Sequence, residues 1–174
     1  ISRILSQFII DTNGKIKSYY DKLHMFDVNI SKNEKYRESI SFKPGQKIVI
    51  TKIKKINFGL SICYDLRFPN LYRELAKRGA HIILLPAAFT VPSGKAHWEI
   101  LTRARAIENT VFLIATNMCG THHTNRKTYG HSVLVNPWGK LLNKGFKKSV
   151  ILNTKINLQD VIDARKKIPS LNHG

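Results

Sequence analysis

Acidic residues are scarce in this chain: 11 aspartates and glutamates stand against 29 lysines and arginines, a formal net charge of +18 at pH 7. An excess of that size raises the question of nucleic-acid binding. Basic runs, however, are also lacking. The densest pairs, Lys54-Lys55, Lys147-Lys148 and Lys166-Lys167, are short and far apart, and no basic motif is interleaved with aromatics. A solvated basic surface is the reading, with no specific nucleic-acid partner. Long apolar runs are missing too; none approaches the ~18–20 residues that cross a bilayer. The longest, Ala80 to Phe89, is interrupted by Pro86 and reads as a buried strand, so no membrane partner is expected. Cysteines number only 2, Cys63 and Cys119, too few for a disulfide framework and expected as free thiols in a reducing compartment. No secretory signal opens the chain, which makes the cytoplasm the expected location. Internal repeats and low-complexity tracts are absent.

What is present is one domain's worth of sequence, 174 residues with 43% hydrophobic content. "ILSQFIID" and "KIKSYYDKLHMF" read as two strands around a Thr12-Asn13-Gly14 turn. Residues 27–46 are polar and read as a long loop closed by Pro44-Gly45. "KIVITKI" and "KINFGLSIC" read as strands. Pro69 suits an early helical position, Leu71 and Leu75 share a face, and Gly79 suits the stop. "AHIILLP" and "VFLIATN" read as buried strands on either side of a helix over 94–110, whose Trp98, Leu101, Ala104 and Ile107 fall three apart. "YGHSVLVNPWGKLLNKG" reads as a hairpin turned at 136–139, with Trp138 packed. "SVILNTKI" reads as a strand running into a last helix capped by Asn157 and ended before Pro169. The strand–helix–strand–helix–strand centre makes the class α/β.

Cys63 ends an apolar run in "GLSICYDLRFP", where the chain turns from strand to helix. Alternation sets it opposite Phe58, Leu60 and Ile62. Side chains at such a turn are presented at the carboxyl edge of a sheet, where α/β proteins bind ligands. A helix N-terminus aimed at the sulfur would favour thiolate, and turn N–H groups can bind an oxyanion. A buried cysteine is also an ordinary small core residue, and on these residues alone both readings stand.

"GLSICYDLRFP" closely resembles the cysteine motif of the carbon–nitrogen hydrolase (nitrilase) superfamily, especially its Nit-type amidase branch. "YYDKLHMFDV" resembles that family's lysine motif and "YRESISFKPG" its following glutamate segment. "HWEILTRARAIENTVFLIATN", "YGHSVLVNPWGKLL" and "KINLQDVIDARKKIP" resemble its later elements in order, so the likeness runs from about Phe8 to Pro169. The resemblance implies an α–β–β–α sandwich and a Glu–Lys–Cys triad. Cys63 is then the nucleophile that forms a thioester and expels ammonia. Lys22, with the backbone N–H of Tyr64, stabilises the oxyanion, and Glu38 is an accessory acid that arranges the site. The implied substrate is a small carboxylate-bearing amide, with no metal and no organic cofactor.

One part of the pattern is not here. The family's general-base glutamate lies upstream of the lysine, in a motif with a Pro-Glu-Asn core, whereas nothing acidic precedes Asp11 in this chain. Together with a chain that opens at Ile1 within an apparent strand, this leads to the expectation of an incomplete sandwich lacking its N-terminal part. Impaired activity in isolation is expected, together with an exposed sheet edge and association as a homo-oligomer or with a complementing N-terminal fragment. Rival readings are a non-catalytic remnant of a split hydrolase and, less favoured, a basic nucleic-acid binder.

Arg67, Phe89 and His97 are the candidates for substrate binding: Arg67 as a carboxylate attractor or ion pair with Asp65, Phe89 as pocket lining, and His97 in an architectural or supporting position. His122 and His123 beside Cys119 lack zinc-ligand spacing, so no metal site is expected. Glu99, Arg103, Arg105 and Glu108 read as a polar helix face.

Overall fold

Short β-branched and aromatic runs build the first elements. β1 (Ser6–Ile10) and β2 (Ile16–Asp21) form an antiparallel hairpin. Its turn is held by Asp11, whose carboxylate accepts the N–H groups of Asn13 and Lys15 at 2.9 and 3.0 Å. β3 (Asp27–Ser31) and β4 (Glu34–Arg37) follow as a second hairpin, then a 3-10 turn at Glu38–Ile40. The stretch 27–46 is therefore not a plain loop. Its strands alternate half-buried with exposed residues, Val28, Ile30 and Tyr36 on the half-buried side, but they run for only 5 and 4 residues among charged neighbours, so the period-2 signal is short. The computed structural model describes residues 3–31, 34–123 and 125–173; the opening at Ile1 lies outside them.

The main sheet follows: β5 (Ile50–Ile53), β6 (Ile56–Leu60), α1 (Pro69–Lys77), β7 (Ile82–Ala87), a helical run of α2 (Val91–Ser93), a π turn over Gly94–Trp98 and α3 (Glu99–Asn109), then β8 (Phe112–Asn117). β9 (Cys119–Thr121) and β10 (Lys127–Tyr129) make a small hairpin before β11 (Val133–Val135) and β12 (Leu141–Lys144), and α4 (Gln159–Lys167) closes the chain. Spatial order is β12-β11-β8-β7-β6-β5. β6, β7 and β8 are parallel, and the outer pairings are antiparallel.

Parallel strands buried on both faces need apolar side chains on both. Ile83, Leu85, Leu113, Ala115, Val133 and Val135 point to the face that carries α1 and α3, packing with Leu71, Tyr72, Leu75 and Trp98. Their sequence neighbours Ile82, Leu84, Phe112, Ile114 and Leu134 point to the other face, covered by Val161 of α4 with Ile156 and Leu158. Arg165 ties α4 down, donating to the Ala80 carbonyl at 2.7 Å. The α/β class holds. Of the expected sandwich, the described residues supply one helical layer and one six-stranded sheet, with two-stranded sheets and α4 as the remainder.

Four sequence expectations change. "SVILNTKI" forms no strand among the described residues, although Asn157 does accept the Gln159 N–H at 3.1 Å at the head of α4. The buried side of α3 runs through Thr102, Arg105, Ala106 and Asn109, while Ile107 is 47% exposed, because each step of three residues falls about 60° short of a full helical turn and three such steps carry Ile107 to the side opposite Trp98. Arg105 is consequently no surface residue: its Nε donates to the Leu66 carbonyl at 3.0 Å and its guanidinium pairs with Glu108 at 2.9 Å. Trp138 is 58% exposed at the tip of its turn.

Leu75 is fully buried where α1 meets the sheet. Leu75→Ala is expected to lower stability by ~2–5 kcal/mol through lost transfer energy and a cavity, read as a fall in the urea midpoint. An unchanged midpoint would mean that α1 does not pack as described.

Candidate active site

The carboxyl ends of β6 and β7 meet a cavity of about 590 Å³ whose lining includes Cys63, Lys22, Glu38, Ala88 and Arg126. Cys63 sits in it because β6 stops at Leu60 and the chain breaks into a 3-10 turn, Cys63–Arg67. Cys63 itself adopts φ +48°, a left-handed conformation uncommon outside glycine. That break ends the strand alternation, so Ile62 lines the same cavity as the sulfur. Strain of this kind persists only where its surroundings hold it.

Those surroundings converge on Asp65, which is fully buried. Its Oδ2 accepts the Ile62 N–H at 2.8 Å and the Tyr20 hydroxyl at 2.7 Å. Its Oδ1 accepts the His24 N–H at 3.2 Å and lies 2.7 Å from His24 Nδ1. A carboxylate offers only acceptors, and all four partners can donate. Tyr20 and His24 flank Lys22, so one buried group fastens the lysine segment to the cysteine turn. The His24 ring also stacks on Phe68 at 3.6 Å, and Arg105 holds the turn from α3 through Leu66. The Tyr20 hydroxyl, buried beside Asp65, has its pKa pushed well above the usual tyrosine range, chiefly by desolvation and then by the neighbouring negative charge.

Lys22 is 2% exposed. Its ammonium is ion-paired with Glu38 Oε2, which also accepts the Phe26 N–H at 2.7 Å. The Lys22 backbone is pinned on both sides, its N–H donating to Leu5 and its carbonyl accepting the Gly45 N–H at 2.8 Å. Gly45 is required there, since a Cβ would fall 2.3 Å from the Asp21 carbonyl oxygen. An ammonium buried this deeply must be paired.

Desolvation pushes the Cys63 thiol above its ordinary pKa. A hydrogen bond from the Ala88 N–H and the charges of Lys22 and Arg126 act the other way without prevailing. The helix-terminus effect expected to yield thiolate is thus outweighed by burial. The resting sulfur is a thiol that needs a base.

Not every candidate converges here. Cys63, Lys22 and Glu38 share the cavity. Tyr64 follows the sulfur, its ring edge-on to Phe26 and Phe68. Arg67, Phe89 and His97 do not line this cavity. Arg67 and His97 border a neighbouring one of about 430 Å³, with Arg67 3.3 Å from His97 Nδ1. Phe89 is 5% exposed and stacks edge-on to Trp98 at 4.8 Å. Arg67 and Phe89 meet Cys63 only around a much smaller cavity, of about 10 Å³, with Tyr64 and Ala88, and Asp65, already saturated, forms no ion pair with Arg67 among the described residues. Met118 and Arg126 were missed by the sequence reading; they arrive through β8 and the β9–β10 hairpin, remote in sequence from Cys63. His122 Nε2 lies 2.7 Å from the Thr128 hydroxyl, whereas His123 is exposed, so the two point apart.

The sequence profile of the carbon–nitrogen hydrolase family matches residues 3–166. The chain is similar to a deaminated glutathione amidase of Yersinia enterocolitica, with 41% identity over 170 residues covering 97% of this chain and 59% of that protein. A deaminated glutathione amidase of Dictyostelium discoideum is 44% identical over 170 residues, covering 97% and 58%. Among solved structures, the Caenorhabditis elegans NitFhit protein aligns with a TM-score of 0.92 at 37% identity, over 99% of this chain and 42% of that one. The chain therefore spans about three-fifths of the length of these two curated relatives.

Burial of the thiol has a kinetic consequence. Iodoacetamide is expected to label Cys63 more slowly at neutral pH than an unstructured peptide thiol, because less thiolate is present. Its rate should still be climbing at pH values where the peptide's has levelled off. Coincident pH profiles would contradict the raised thiol.

Proposed function

The chain belongs to the carbon–nitrogen hydrolase family, and on that footing we propose that it carries the nucleophile half of an amidase acting on a small carboxylate-bearing amide. The observation that supports this most directly is a single cavity holding a strained cysteine and a buried, ion-paired lysine. Cys63 attacks the amide carbon and forms the S–C bond. Its proton goes to a base, and negative charge develops on the carbonyl oxygen. Lys22 and the Tyr64 N–H stabilise that charge. The C–N bond then breaks, the nitrogen leaves as ammonia after protonation, and water cleaves the thioester to the acid and the free thiol. Glu38, bonded to Lys22 and to the Phe26 N–H, orients the ammonium. That engagement suits an accessory acid better than the general base. Relatives named as amidases support amide over nitrile substrates.

Glu38, paired with Lys22, is the one carboxylate among the described residues that line the cavity, and the thiol beside it is raised, so the 174 residues by themselves are proposed to acylate with an activated ester but to turn over poorly. Phe8, Ile10, Ile16 and Tyr19 are each more than half exposed on the first hairpin. That apolar surface favours association with a second copy or with a complementing fragment that supplies a general base.

The test separates acylation from turnover. With the mono-p-nitrophenyl ester of a short dicarboxylic acid, which keeps a free carboxylate and whose leaving group needs no protonation, the chain should release one burst of nitrophenol and gain an acyl group on Cys63 by mass spectrometry. Cys63→Ala should show neither, and Lys22→Ala should acylate about 10²–10³-fold more slowly. Absence of any acyl group on Cys63 would remove the amidase reading. Steady hydrolysis of the parent ω-amide, lost in Cys63→Ala, would instead overturn the impairment.

A further inference from the structure

Three cations and one carboxylate line the Cys63 cavity: Lys22, Arg37 and Arg126 against Glu38. Lys22 is taken by Glu38. The Arg37 guanidinium is occupied by the carbonyls of Val28 and Tyr36 and by the Asn29 side chain. Arg126 differs. Its Nη2 donates to the Ala88 carbonyl at 2.9 Å, and its guanidinium lies 5.1 Å from the centre of the Tyr36 ring. Its Nε is buried, with no hydrogen-bond partner among the described residues, and no carboxylate there lies within ion-pair distance of it. A buried donor left unmatched is costly, and such groups in native proteins call for a partner. Gln7 lines the same cavity and has an equally buried, unpartnered side-chain oxygen. Two residues that line the cavity thus each carry an orphan polar atom, a donor on a cation and an acceptor on an amide.

Position completes the case. Ala88 stands between the two groups: its N–H bonds the Cys63 sulfur and its carbonyl accepts from Arg126. The charge is therefore one residue removed from the reacting atom. The planar fork of a guanidinium, steadied by the Tyr36 ring, matches a carboxylate in two-point contact. We propose that Arg126 binds the carboxylate of the substrate and so selects acidic amides over neutral ones of the same size. Gln7 accepts an N–H elsewhere on the same molecule. This rests on the amidase reading, and it gives Arg126, which lines the large cavity, the role that sequence proximity offers to Arg67, which does not line it.

The test uses the whole chain and a covalent readout that does not depend on turnover. N-iodoacetylglycine and N-iodoacetylglycinamide differ only in carrying a carboxylate or a neutral amide. Their rates of Cys63 labelling, read by peptide mass mapping, give a ratio of acid to amide. Loss of a nearby charge alters the thiolate fraction equally for both reagents, so the ratio isolates recognition. Arg126→Gln should lower that ratio about tenfold, roughly one charge-assisted contact. Arg126→Lys should retain part of it, and Arg37→Gln should leave it within about twofold, as a screened, exposed charge would. An unchanged ratio in Arg126→Gln overturns the proposal while leaving the nucleophile intact. An equal fall in Arg37→Gln also overturns it, because a diffuse field would then be responsible. Failure of both reagents to label Cys63 would overturn the amidase reading and the role of Arg126 with it.

Discussion

A carboxylate with no exposure to solvent must find its solvation inside the protein, and Asp65 finds it in groups from two distant segments. Burying that charge without donors would cost several kcal/mol, so the contacts form together. The result is mechanical. The stretch around Lys22, whose hairpin is a separate two-stranded unit, cannot drift from the turn after β6 without stripping Asp65 of partners. The ion pair of Lys22 with Glu38 then brings in the chain beyond β4. Two acids, neither a nucleophile, thus decide what stands beside the sulfur.

The rigid partner in this arrangement is the parallel trio β6–β7–β8. Apolar side chains on both faces bury it between α1 and α3 on one side and the segment leading into α4 on the other. Its carboxyl ends present Cys63, Ala88 and Met118 at one edge, the position where open α/β sheets take ligands. Asn117 at the end of β8 cross-links this edge, accepting the Phe89 N–H and donating to the Gly130 carbonyl. Stiff strands below and a network of buried polar groups above keep a left-handed cysteine in place. The same burial raises the thiol, so the site is ordered at rest and depends on a base for reactivity.

How legible this was depends on the range of the interactions. The strands of the central sheet, helix Pro69–Lys77 and the turn at 136–139 follow from local apolar patterns and from proline and glycine. The second hairpin is hard to read in the sequence because its strands, of 5 and 4 residues, give only Val28, Ile30 and Tyr36 to the half-buried side. The buried face of α3 departs from the three-apart reading because each such step falls about 60° short of a full turn, and because a buried arginine is stabilised by a carbonyl contributed from the cysteine turn. Arg67 looked like the cavity cation because it stands near Cys63 in sequence. Arg126 is the one that arrives there, and nothing local in "HHTNRKTYG" announces it.

By itself the sequence determined the α/β class, the order of its central elements and, through motif resemblance, which cysteine and lysine to watch. These depend on neighbours a few residues apart, where periodicity and turn chemistry act. Tertiary structure alone decided that Glu38 pairs with Lys22, that Asp65 fastens the lysine segment to the cysteine turn, and that Arg126 lines the large cavity beside the sulfur while Arg67 meets the sulfur around a much smaller one. Those outcomes depend on charges and orphan donors meeting across 12 to 45 residues of chain, where the cost of leaving a buried group unpaired selects the partner and sequence proximity has no vote.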